Sequence, residues 1–476
     1  MTWPRAGVNL LRKLILRTVG MPPARSNDVA VAKPASELPS DFTPDLYLQL
    51  NPDLIAAGVD PLEHFLSNGQ FESRLYTLPE LFNEGVAGFN PIFETILVVS
   101  HEASRTGAPI LALNLVQSFS NRYNIVVLLL GEGPLTGEFC SCGSVVFVEA
   151  FSRFNPFVAR RVVGEICSRY QIKFGLVNSI ESRQVLQGLA ECGIPSVILI
   201  HEFASYTRPL EAFREAFAWA SSVVFSAEIT RDNAFLINPE LAATPVSVHP
   251  QGKCVLPESI KDVSKEGVEK HLLLASVRPE HGSRETFVVL GAGAIHLRKG
   301  VDLFIDCAAR YKRIAKGRSF RFVWIGGGYD PEGDVDYSSY LLDQIQRAEL
   351  SEHVFFVGET SYIEAAYSNA DVFLLTSRLD PLPNVAIDAM FHGVPVVCFD
   401  RCSGIADFLQ RNDMGTRCVA TYLDTDDAAR KLREFAVSAT LRNETGECAR
   451  AAARDHFNMS RYVEEIERVA LAAVSA

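Results

Sequence analysis

The sequence contains no uninterrupted apolar run of about 18 residues, the length from which a membrane-spanning helix is expected. Basic residues are outnumbered by acidic ones, 45 to 57, and the net charge of −12 argues against general nucleic-acid binding. The ten cysteines form no Cys-x-x-Cys pair and do not alternate with histidines at zinc spacing. These features predict no structural metal, and they are typical of a chain in a reducing compartment.

The first 25 residues stand apart because they carry five basic side chains and no acidic one. Residues 6–19 combine apolar and basic side chains, and as a helix they would suit an anionic membrane surface. They lack the long uncharged run of a signal peptide. We therefore expect a cytoplasmic protein with a basic tail and linker over residues 1–40. Peripheral contact of 6–19 with the inner face of the membrane and a weakly helical or disordered tail are both open.

A compact helical module is predicted over residues 41–76. Asn51-Pro52 and Asp60-Pro61 place proline at first-turn positions behind capping residues, and Gly69 follows as a helix stop. The stretch resembles a small module with the pattern NPD…AGVDPLEHYL, which is attached to bacterial glycan-related and secreted proteins. The resemblance implies no chemistry.

From residue 94 onward, short apolar runs alternate with segments of helical character, a pattern that predicts buried parallel strands. The predicted strands are 95–100, 124–130, 144–150, 174–179, 196–201, 221–226 and 246–250 in a first domain (94–265), and 286–293, 320–328, 354–358, 371–376, 395–400 and 415–420 in a second (283–458). Residues 252–284 are polar and lack clear periodicity, which fits a connection between the two domains, and 459–476 predict a terminal helix that packs back on the first domain. The predicted fold class is α/β, with two Rossmann-like, doubly wound parallel-sheet domains facing across a cleft, preceded by the helical module.

The most informative stretch is TSRLDPLPNVAIDAMFHGVPVVCFD, residues 376–400. It predicts a strand end, a loop that contains Asp380, a helix that contains Asp388, and another strand. Either carboxylate can accept hydrogen bonds from sugar or ribose hydroxyls, and amides at the helix start can hold an anionic group. The residues at that helix start are Pro383, Asn384 and Val385. Taken alone, Asp380 can be a helix cap and Asp388 a solvated side chain, but the whole string favours a ligand site.

This string resembles the donor-binding signature of the retaining family-four glycosyltransferases, which have the GT-B fold. Their pattern is E-x7-E followed by AMA.G.PVV, and many relatives read DPFPSVVLEAMA.GLPVV. The resemblance implies that Asp380 acts on the transferred sugar as a catalytic residue and that Asp388 binds the donor. Asp388 replaces the usual glutamate and is one methylene shorter, so a longer or water-mediated ribose contact is expected.

The stretch VVLGAGAIHLRKG, residues 288–300, predicts a strand, a glycine-rich turn and a helix start, but it lacks the third glycine of a dinucleotide fingerprint. It resembles the family's VGR…..KG.D.LI segment, in which an arginine and a lysine bind the donor diphosphate. By this resemblance Lys299 is catalytic as a diphosphate clamp. The arginine position falls on Gly293, and the adjacent Arg298 is a candidate to compensate. The alternative is a surface Arg-Lys pair before a helix.

Four further residues enter through weaker resemblances. Gly327, in WIGGGYD, and Glu359, after the strand VFFVG, match family positions that line the donor, although tight turns and packing would also explain them. Gly107 matches the family's glycine-rich loop, which approaches the diphosphate or the acceptor. His201, in LIHEFASY, resembles a histidine near the reactive sugar, where it would bind a hydroxyl or orient the acceptor. A structural histidine is the alternative.

The resemblance covers about residues 94–470 and implies a retaining, metal-independent glycosyltransferase of the hexosyltransferase type in polysaccharide biosynthesis. The expected partners are a UDP- or GDP-sugar donor and a carbohydrate or lipid-linked acceptor, with no nucleic acid. No cofactor is expected, because the nucleotide-sugar is a substrate. Two alternatives stay open: a non-catalytic glycan-binding or scaffold protein with the GT-B fold, and a GT-B sugar-nucleotide epimerase.

Overall fold

The computed structural model describes residues 38–72, 74–78, 82–85, 88–147, 155–255, 263–279 and 286–475. Contacts along the chain divide it into two units, Met1–Thr77 and Leu78–Ala476. The predicted membrane contact at 6–19 lies outside the described residues, and the finer domain limits stay predictions. Among the helices of the described ranges, none is both long enough and apolar enough to cross a membrane.

The first unit is a small helical module in which proline opens each helix. Its helices are α1 (Pro44–Leu50), α2 (Pro52–Ala57) and α3 (Pro61–His64), followed by a π turn at Phe65–Gly69. Proline fits a first turn because the amide that it lacks would have no acceptor there. Tyr47 is fully buried against Leu54 and Phe65, and its hydroxyl lies 3.0 Å from His64 Nδ1. The predicted helical region is therefore present.

The second unit contains an eight-stranded sheet with the order β1-β4-β3-β2-β5-β6-β7-β8. Its strands are β1 (Phe82–Gly85), β2 (Thr95–Ser100), β3 (Asn124–Leu129), β4 (Ser144–Phe147), β5 (Ile172–Asn178), β6 (Ser196–Ile200), β7 (Ser222–Phe225) and β8 (Ser247–Val248). Its helices are α4 (Gly107–Phe119), α5 (Thr136–Cys140), α6 (Pro156–Arg169), α7 (Val185–Glu191), α8 (Ala212–Trp219) and α9 (Glu228–Ile237). Only β1 is antiparallel to its neighbour. Residues 96–99 of β2 are completely buried, which explains why continuous apolar runs form these strands.

The same unit contains a six-stranded, entirely parallel sheet with the order β11-β10-β9-β12-β13-β14. Its strands are β9 (Phe287–Ala292), β10 (Phe320–Ile325), β11 (Val354–Val357), β12 (Val372–Leu375), β13 (Val396–Phe399) and β14 (Val419–Ala420). The helices from the connection onward are α10 (Val263–Val277), α11 (Val301–Ile314), α12 (Ser338–Arg347), α13 (Ile363–Tyr367), α14 (Asn384–Phe391), α15 (Gly404–Arg411), α16 (Gly415–Cys418), α17 (Thr425–Val437), α18 (Ala439–His456) and α19 (Met459–Ser475). Both sheets are doubly wound, which confirms the predicted fold class.

The last helix lies on the first sheet, and the backbone passes between the two domains at two neighbouring places. The apolar stripe of α19 is buried in the core of the first domain through Tyr462, Val463, Ile466 and Ala470. The amide of Lys253 donates to the carbonyl of Phe457 at 2.8 Å. Gly252 approaches Met459 so closely that a Cβ on it would lie 2.2 Å from Met459 Cα, so only glycine fits.

The stretch interpreted as a connection, residues 252–284, contains the helix α10. Its apolar residues do not form one stripe: Leu273 and Val277 are buried, whereas Val268 and Leu272 are about 60% exposed. The usual signal of an amphipathic helix is therefore weak in this stretch.

The predicted strand at 415–420 is wrong over most of its length. Residues 415–418 form the single helical turn of α16, in which the Cys418 amide donates to the Met414 carbonyl at 2.9 Å, and only Val419 and Ala420 belong to β14. The apolar residues Cys418 and Ala420 are buried in the structure, and a strand would bury them too. Burial therefore does not distinguish a short helical turn from a strand here.

Candidate active site

The candidate site lies at the carboxyl ends of β9 and β12, where the strand order of the second sheet reverses. Open parallel sheets bind ligands at such a point, because the loops from the two strands diverge there. The turn after β9 carries Lys299, and the loop after β12 carries Asp380. The structure brings these two predicted residues into direct contact.

Two cations pair with the Asp380 carboxylate. Lys299 Nζ lies 2.5 Å from Oδ2, and Arg298 Nη1 lies 3.2 Å from Oδ1. Ser377 Oγ also donates to Oδ2, at 3.1 Å. The Asp380 side chain is 8% exposed and that of Lys299 is 17% exposed, whereas Arg298 is 41% exposed. The group therefore has one positive charge in excess, which favours an anionic ligand.

The ionisation of Asp380 follows from these contacts. Burial raises the pKa of its carboxyl, but the charges of Lys299 and Arg298, with hydrogen bonds from Lys299 and Ser377, outweigh burial and hold the pKa below its usual value. Asp380 is ionised at neutral pH for this reason. An ionised carboxylate at this position can accept hydrogen bonds from sugar hydroxyls.

The turn that carries Lys299 is tied to the loop that carries Asp380. Arg378, in that loop, donates to both carboxylate oxygens of Asp302, at 2.9 and 2.7 Å. The amide of Arg378 donates to the carbonyl of Arg298 at 2.8 Å. A bidentate arginine–carboxylate pair is geometrically specific, so it fixes the relative position of the two segments.

A close backbone approach reinforces this attachment. Gly300, which directly follows Lys299, has a φ of +69°. A Cβ on Gly300 would lie 2.0 Å from the carbonyl oxygen of Thr376, at the end of β12. Backbone contacts thus set where the lysine side chain begins, and only its four-carbon stem is left to rotate.

Two helix N-termini face each other across the cleft. The helix α4 begins at Gly107 and α14 at Asn384, and a Cβ on Gly107 would lie 3.6 Å from Asn384 Nδ2. Among the described residues, no side chain caps either helix. Exposed amides and the positive end of the helix dipole favour an anion in this space.

The start of α14 contains the other predicted donor-binding residues. Pro383 is buried and directly precedes the helix, and Val385 is partly buried in its first turn. The Asn384 side chain accepts a hydrogen bond from Gln251 Nε2 at 2.7 Å instead of capping its own helix. Gln251 follows β8, so this bond joins the first domain to the start of α14.

Asp388 lies one turn further along α14, among charged side chains from both domains. Lys253 Nζ lies 4.0 Å from Asp388 Oδ1 and 3.6 Å from Glu364 Oε1, and it lies over the Phe391 ring at 5.4 Å. Burial raises the pKa of Asp388 to about 7, an effect that the charge of Lys253 opposes and that of Glu364 reinforces. Asp388 therefore titrates near neutral pH, whereas Asp380 stays ionised.

The two ring nitrogens of His201, at the carboxyl end of β6, have different surroundings. Nε2 lies 2.9 Å from Asn178 Oδ1, whereas Nδ1 is buried without a hydrogen-bond partner among the described residues. Burial lowers the pKa of His201 to about 4, so the imidazole is neutral at physiological pH. A neutral imidazole has one donor and one acceptor nitrogen.

The turns after β9, β10 and β11 bring three more predicted residues to the same edge of the second sheet. Ile295 N donates to Gly327 O at 2.9 Å, and a Cβ on Gly327 would lie 3.7 Å from Glu359 Oε2. A Cβ on Gly293 would lie 3.4 Å from the stem of Lys299. The lysine stem thus passes over Gly293, the position where the resembling family has arginine.

Three residues of the site are not among those predicted from the sequence: Asn178, Gln251 and Lys253. Asn178 is the polar last residue of an apolar strand, a signal that could have identified it. Gln251 contacts Asn384, 133 residues away in sequence, and Lys253 contacts Asp388, also from another domain. No local pattern reveals such pairs.

The positive charge of the site comes from side chains and helix termini. Within the described ranges, no group of three or more His, Cys, Asp or Glu side chains is placed to hold a metal ion. The ten cysteines are free thiols, of which Cys398, Cys402 and Cys418 are buried near β13 and β14.

Comparison with known proteins shows which family the second domain resembles. Residues 276–452 match the family described as "Glycosyl transferases group 1", and this range contains Lys299, Asp380 and Asp388. The solved structure of Anabaena Alr3699/HepE in complex with UDP and glucose superposes with a TM-score of 0.62 at 18% identity, over 79% of this chain and 99% of that one. The sequence match supports the group 1 glycosyltransferase family for the second domain, and the superposition shows the GT-B fold.

Two relatives that are similar in sequence are named as glycosyltransferases and come from bacteria. The amylovoran biosynthesis glycosyltransferase AmsD of Erwinia amylovora is 26% identical over 117 residues, which cover 25% of this chain and 32% of AmsD. The lipopolysaccharide core biosynthesis mannosyltransferase LpsB of Rhizobium meliloti is 28% identical over 115 residues, which cover 23% of this chain and 30% of LpsB. The match thus spans about a third of the length of these curated relatives.

Proposed function

We propose that the protein is a retaining glycosyltransferase that moves a sugar from a UDP- or GDP-linked donor to a glycan or lipid-linked acceptor. The contact between Lys299 and Asp380 carries the proposal, because it lies at the switch point of the second sheet and faces a cleft lined by two helix N-termini. This arrangement offers positive charge for a diphosphate beside an ionised acceptor for sugar hydroxyls.

In the proposed reaction, negative charge develops on the leaving diphosphate while the sugar approaches an oxocarbenium ion. Lys299 and the amides at the start of α14 are fixed before the reaction begins, so they stabilise this charge without reorganising. The acceptor hydroxyl attacks from the face that the diphosphate leaves, and a diphosphate oxygen takes its proton. The step needs no enzyme nucleophile, and the cations described above support a metal-independent reaction.

The comparisons support the donor class and indicate which donors to test first. The HepE structure contains UDP and glucose, so UDP-glucose is the first candidate. LpsB is named a mannosyltransferase, so a GDP-linked mannose belongs in the same panel. AmsD and LpsB are named for polysaccharide and lipopolysaccharide synthesis, which supports a glycan or lipid-linked acceptor.

A panel of UDP- and GDP-sugars tests the proposal through thermal stability and product formation. We expect one donor to stabilise the protein by about 2.7 kcal/mol when it is present at about 100 times its Kd, because only the folded chain binds it. Mass spectrometry would detect transfer, NMR would show a retained anomeric configuration, and EDTA would leave the rate unchanged.

Asp380→Ala, which removes the buried carboxylate, should weaken the donor effect, and Lys312→Ala, a matched surface change on α11, is its control. Among the described residues, the ion pair of Lys312 is with Glu349, whose side chain is 87% exposed, so its loss should leave the donor effect intact. If no donor stabilises the wild type and no product forms, the scaffold alternative replaces the proposal. If the donor sugar is recovered as its epimer, the epimerase alternative does.

Donor affinity should depend on pH through Asp388. Its raised pKa of about 7 means that the carboxylate is present above pH 7 and is lost as the pH falls through 7. The ionised carboxylate accepts stronger hydrogen bonds from ribose hydroxyls than the protonated one does. We therefore expect the donor Kd to rise about tenfold when the pH is lowered from 8 to 6. Isothermal titration calorimetry at several pH values measures this dependence.

Two variants control the pH experiment. Asp388→Asn cannot ionise, so its Kd should be high and nearly independent of pH. Lys253→Met removes the charge that lowers the pKa of Asp388, so the midpoint should shift to higher pH. Equal pH dependence in wild type and Asp388→Asn would assign the titration to another group, with His392, 3.9 Å from Glu364, the next to test.

A further inference from the structure

Asn178 lies where it can control the chemical form of His201. It is the last residue of β5 and is completely buried, at the switch point between β2 and β5 in the first sheet. Its side chain makes two hydrogen bonds, one to the carbonyl of Ala108 in the first turn of α4 and one to the ring of His201. It therefore links the two first-domain elements that border the cleft.

The first of these bonds fixes the orientation of the amide. Asn178 Nδ2 lies 2.8 Å from Ala108 O, and a carbonyl oxygen can only accept a hydrogen bond. The amide nitrogen must therefore face Ala108, which leaves Oδ1 to face the imidazole of His201. Because an amide oxygen has no hydrogen to donate, the bond of 2.9 Å to His201 Nε2 requires that Nε2 carry the proton.

The second consequence concerns the other nitrogen. His201 is neutral near pH 7, because burial lowers its pKa to about 4, so it carries one ring proton. With that proton on Nε2, Nδ1 is a bare acceptor, and it is buried without a partner among the described residues. A buried acceptor left without a hydrogen bond costs free energy, and this cost is recovered when a ligand supplies a donor.

We propose that Asn178 is a positioning residue that holds His201 as the Nε2–H tautomer and so leaves Nδ1 as the acceptor for the sugar-hydroxyl contact already expected of His201. The inference rests on the proposed function for its ligand, but its tautomer can be measured without any ligand. In this arrangement His201 binds a hydroxyl and does not remove a proton, since a base of such low basicity is far from the optimum at neutral pH.

The same amide connects the tautomer to the glycine-rich turn. Ala108 follows Gly107, the residue that lies opposite Asn384 of α14. A shift of Asn178 would therefore move both the start of α4 and the ring of His201. This coupling explains why a completely buried asparagine occupies the end of an otherwise apolar strand.

NMR of the unliganded protein with ¹⁵N-labelled histidine tests the tautomer directly, with the His201 signals assigned by their loss in His201→Ala. We expect Nε2 to be protonated and Nδ1 to be bare at pH 7. Protonation of Nδ1 instead would overturn the proposal, whether or not the protein proves to be a transferase.

The variant Asn178→Leu keeps the size of the side chain and removes both hydrogen bonds. We expect a mixture of tautomers at His201 and a decrease in kcat/KM of about 10- to 100-fold, because the ring loses its fixed orientation. Ser182→Ala is the matched control: Ser182 is also buried, but it bonds at 2.8 Å to the backbone carbonyl of Asn178 and does not contact its amide. It should preserve the tautomer.

The outcomes separate the inference from the proposed function. A single Nε2–H tautomer in Asn178→Leu together with wild-type kcat/KM would overturn the inference. If Asn178→Leu does not fold, the wild-type spectrum still decides the tautomer, and adding the donor should shift the bare Nδ1 resonance. An unshifted Nδ1 resonance in a protein that binds and transfers the donor would overturn the hydroxyl contact alone.

Discussion

Replacing Lys299 with alanine is expected to lower kcat/KM by about 100- to 1,000-fold, the range found when one preorganised donor to a developing negative charge is removed. The Lys299 ammonium group lies at the switch point of the second sheet. The backbone of Lys299 is held in place by the contact of the following residue, Gly300, with Thr376. Steady-state kinetics with the identified donor and acceptor measures the effect, and we expect most of it in kcat.

Three further variants interpret this result. Lys299→Arg keeps a cation and should recover part of the rate. Arg298→Ala removes the other cation that pairs with Asp380, and Arg298 is more exposed than Lys299, so the effect should be smaller. Lys312→Ala, on the helix that follows, should match wild type. A folded Lys299→Ala protein with unchanged kcat/KM would rule out the diphosphate clamp.

Replacing Gly300 with alanine should lower the free energy of unfolding by about 2–5 kcal/mol. A φ of +69° costs an alanine about 1–2 kcal/mol, and its Cβ would lie 2.0 Å from the Thr376 carbonyl oxygen, an overlap that adds roughly 1–3 kcal/mol. The backbone must move to relieve the overlap, so the turn with Lys299 separates from β12. Urea denaturation followed by fluorescence gives the stability.

Gly317 provides a matched control for the glycine experiment. It also has a positive φ, +79°, but a Cβ on it would have no atom within 4 Å. Gly317→Ala should therefore lose only the conformational part, about 1–2 kcal/mol, and should keep full activity. Equal stability of the two variants would show that the contact of Gly300 with Thr376 is not tight in solution.

Much of the fold could be predicted because parallel strands buried on both faces are continuous apolar runs. Residues 95–100 form β2 at the predicted limits, and α14 begins directly after Pro383. The helix α10 could not be predicted in this way, because its neighbouring apolar residues Leu272 and Leu273 are exposed and buried, respectively. When only a few residues of a helix pack against another element, the helix does not need a regular apolar stripe in its sequence.

The candidate site could be predicted only to the level of its separate segments. Lys299 and Asp380 could be proposed because each lies in a motif at the end of a strand, but their mutual contact depends on the strand order. The groups that modify the site, Lys253 beside Asp388 and Asn178 beside His201, come from distant segments. Burial lowers the pKa of His201, and burial together with the charges of Lys253 and Glu364 sets the pKa of Asp388, and a sequence displays neither burial nor such neighbours.

The two neighbouring passages of the backbone between the domains have a mechanical consequence. The hydrogen bond from the Lys253 amide to the Phe457 carbonyl and the close approach of Gly252 to Met459 hold two segments of the backbone side by side. Two bodies that are connected by adjacent backbone segments are expected to rotate about that connection more readily than to slide along it. Because the apolar stripe of α19 is buried in the core of the first domain, we expect this helix to stay with the first domain in any such rotation, although it follows the second domain in sequence.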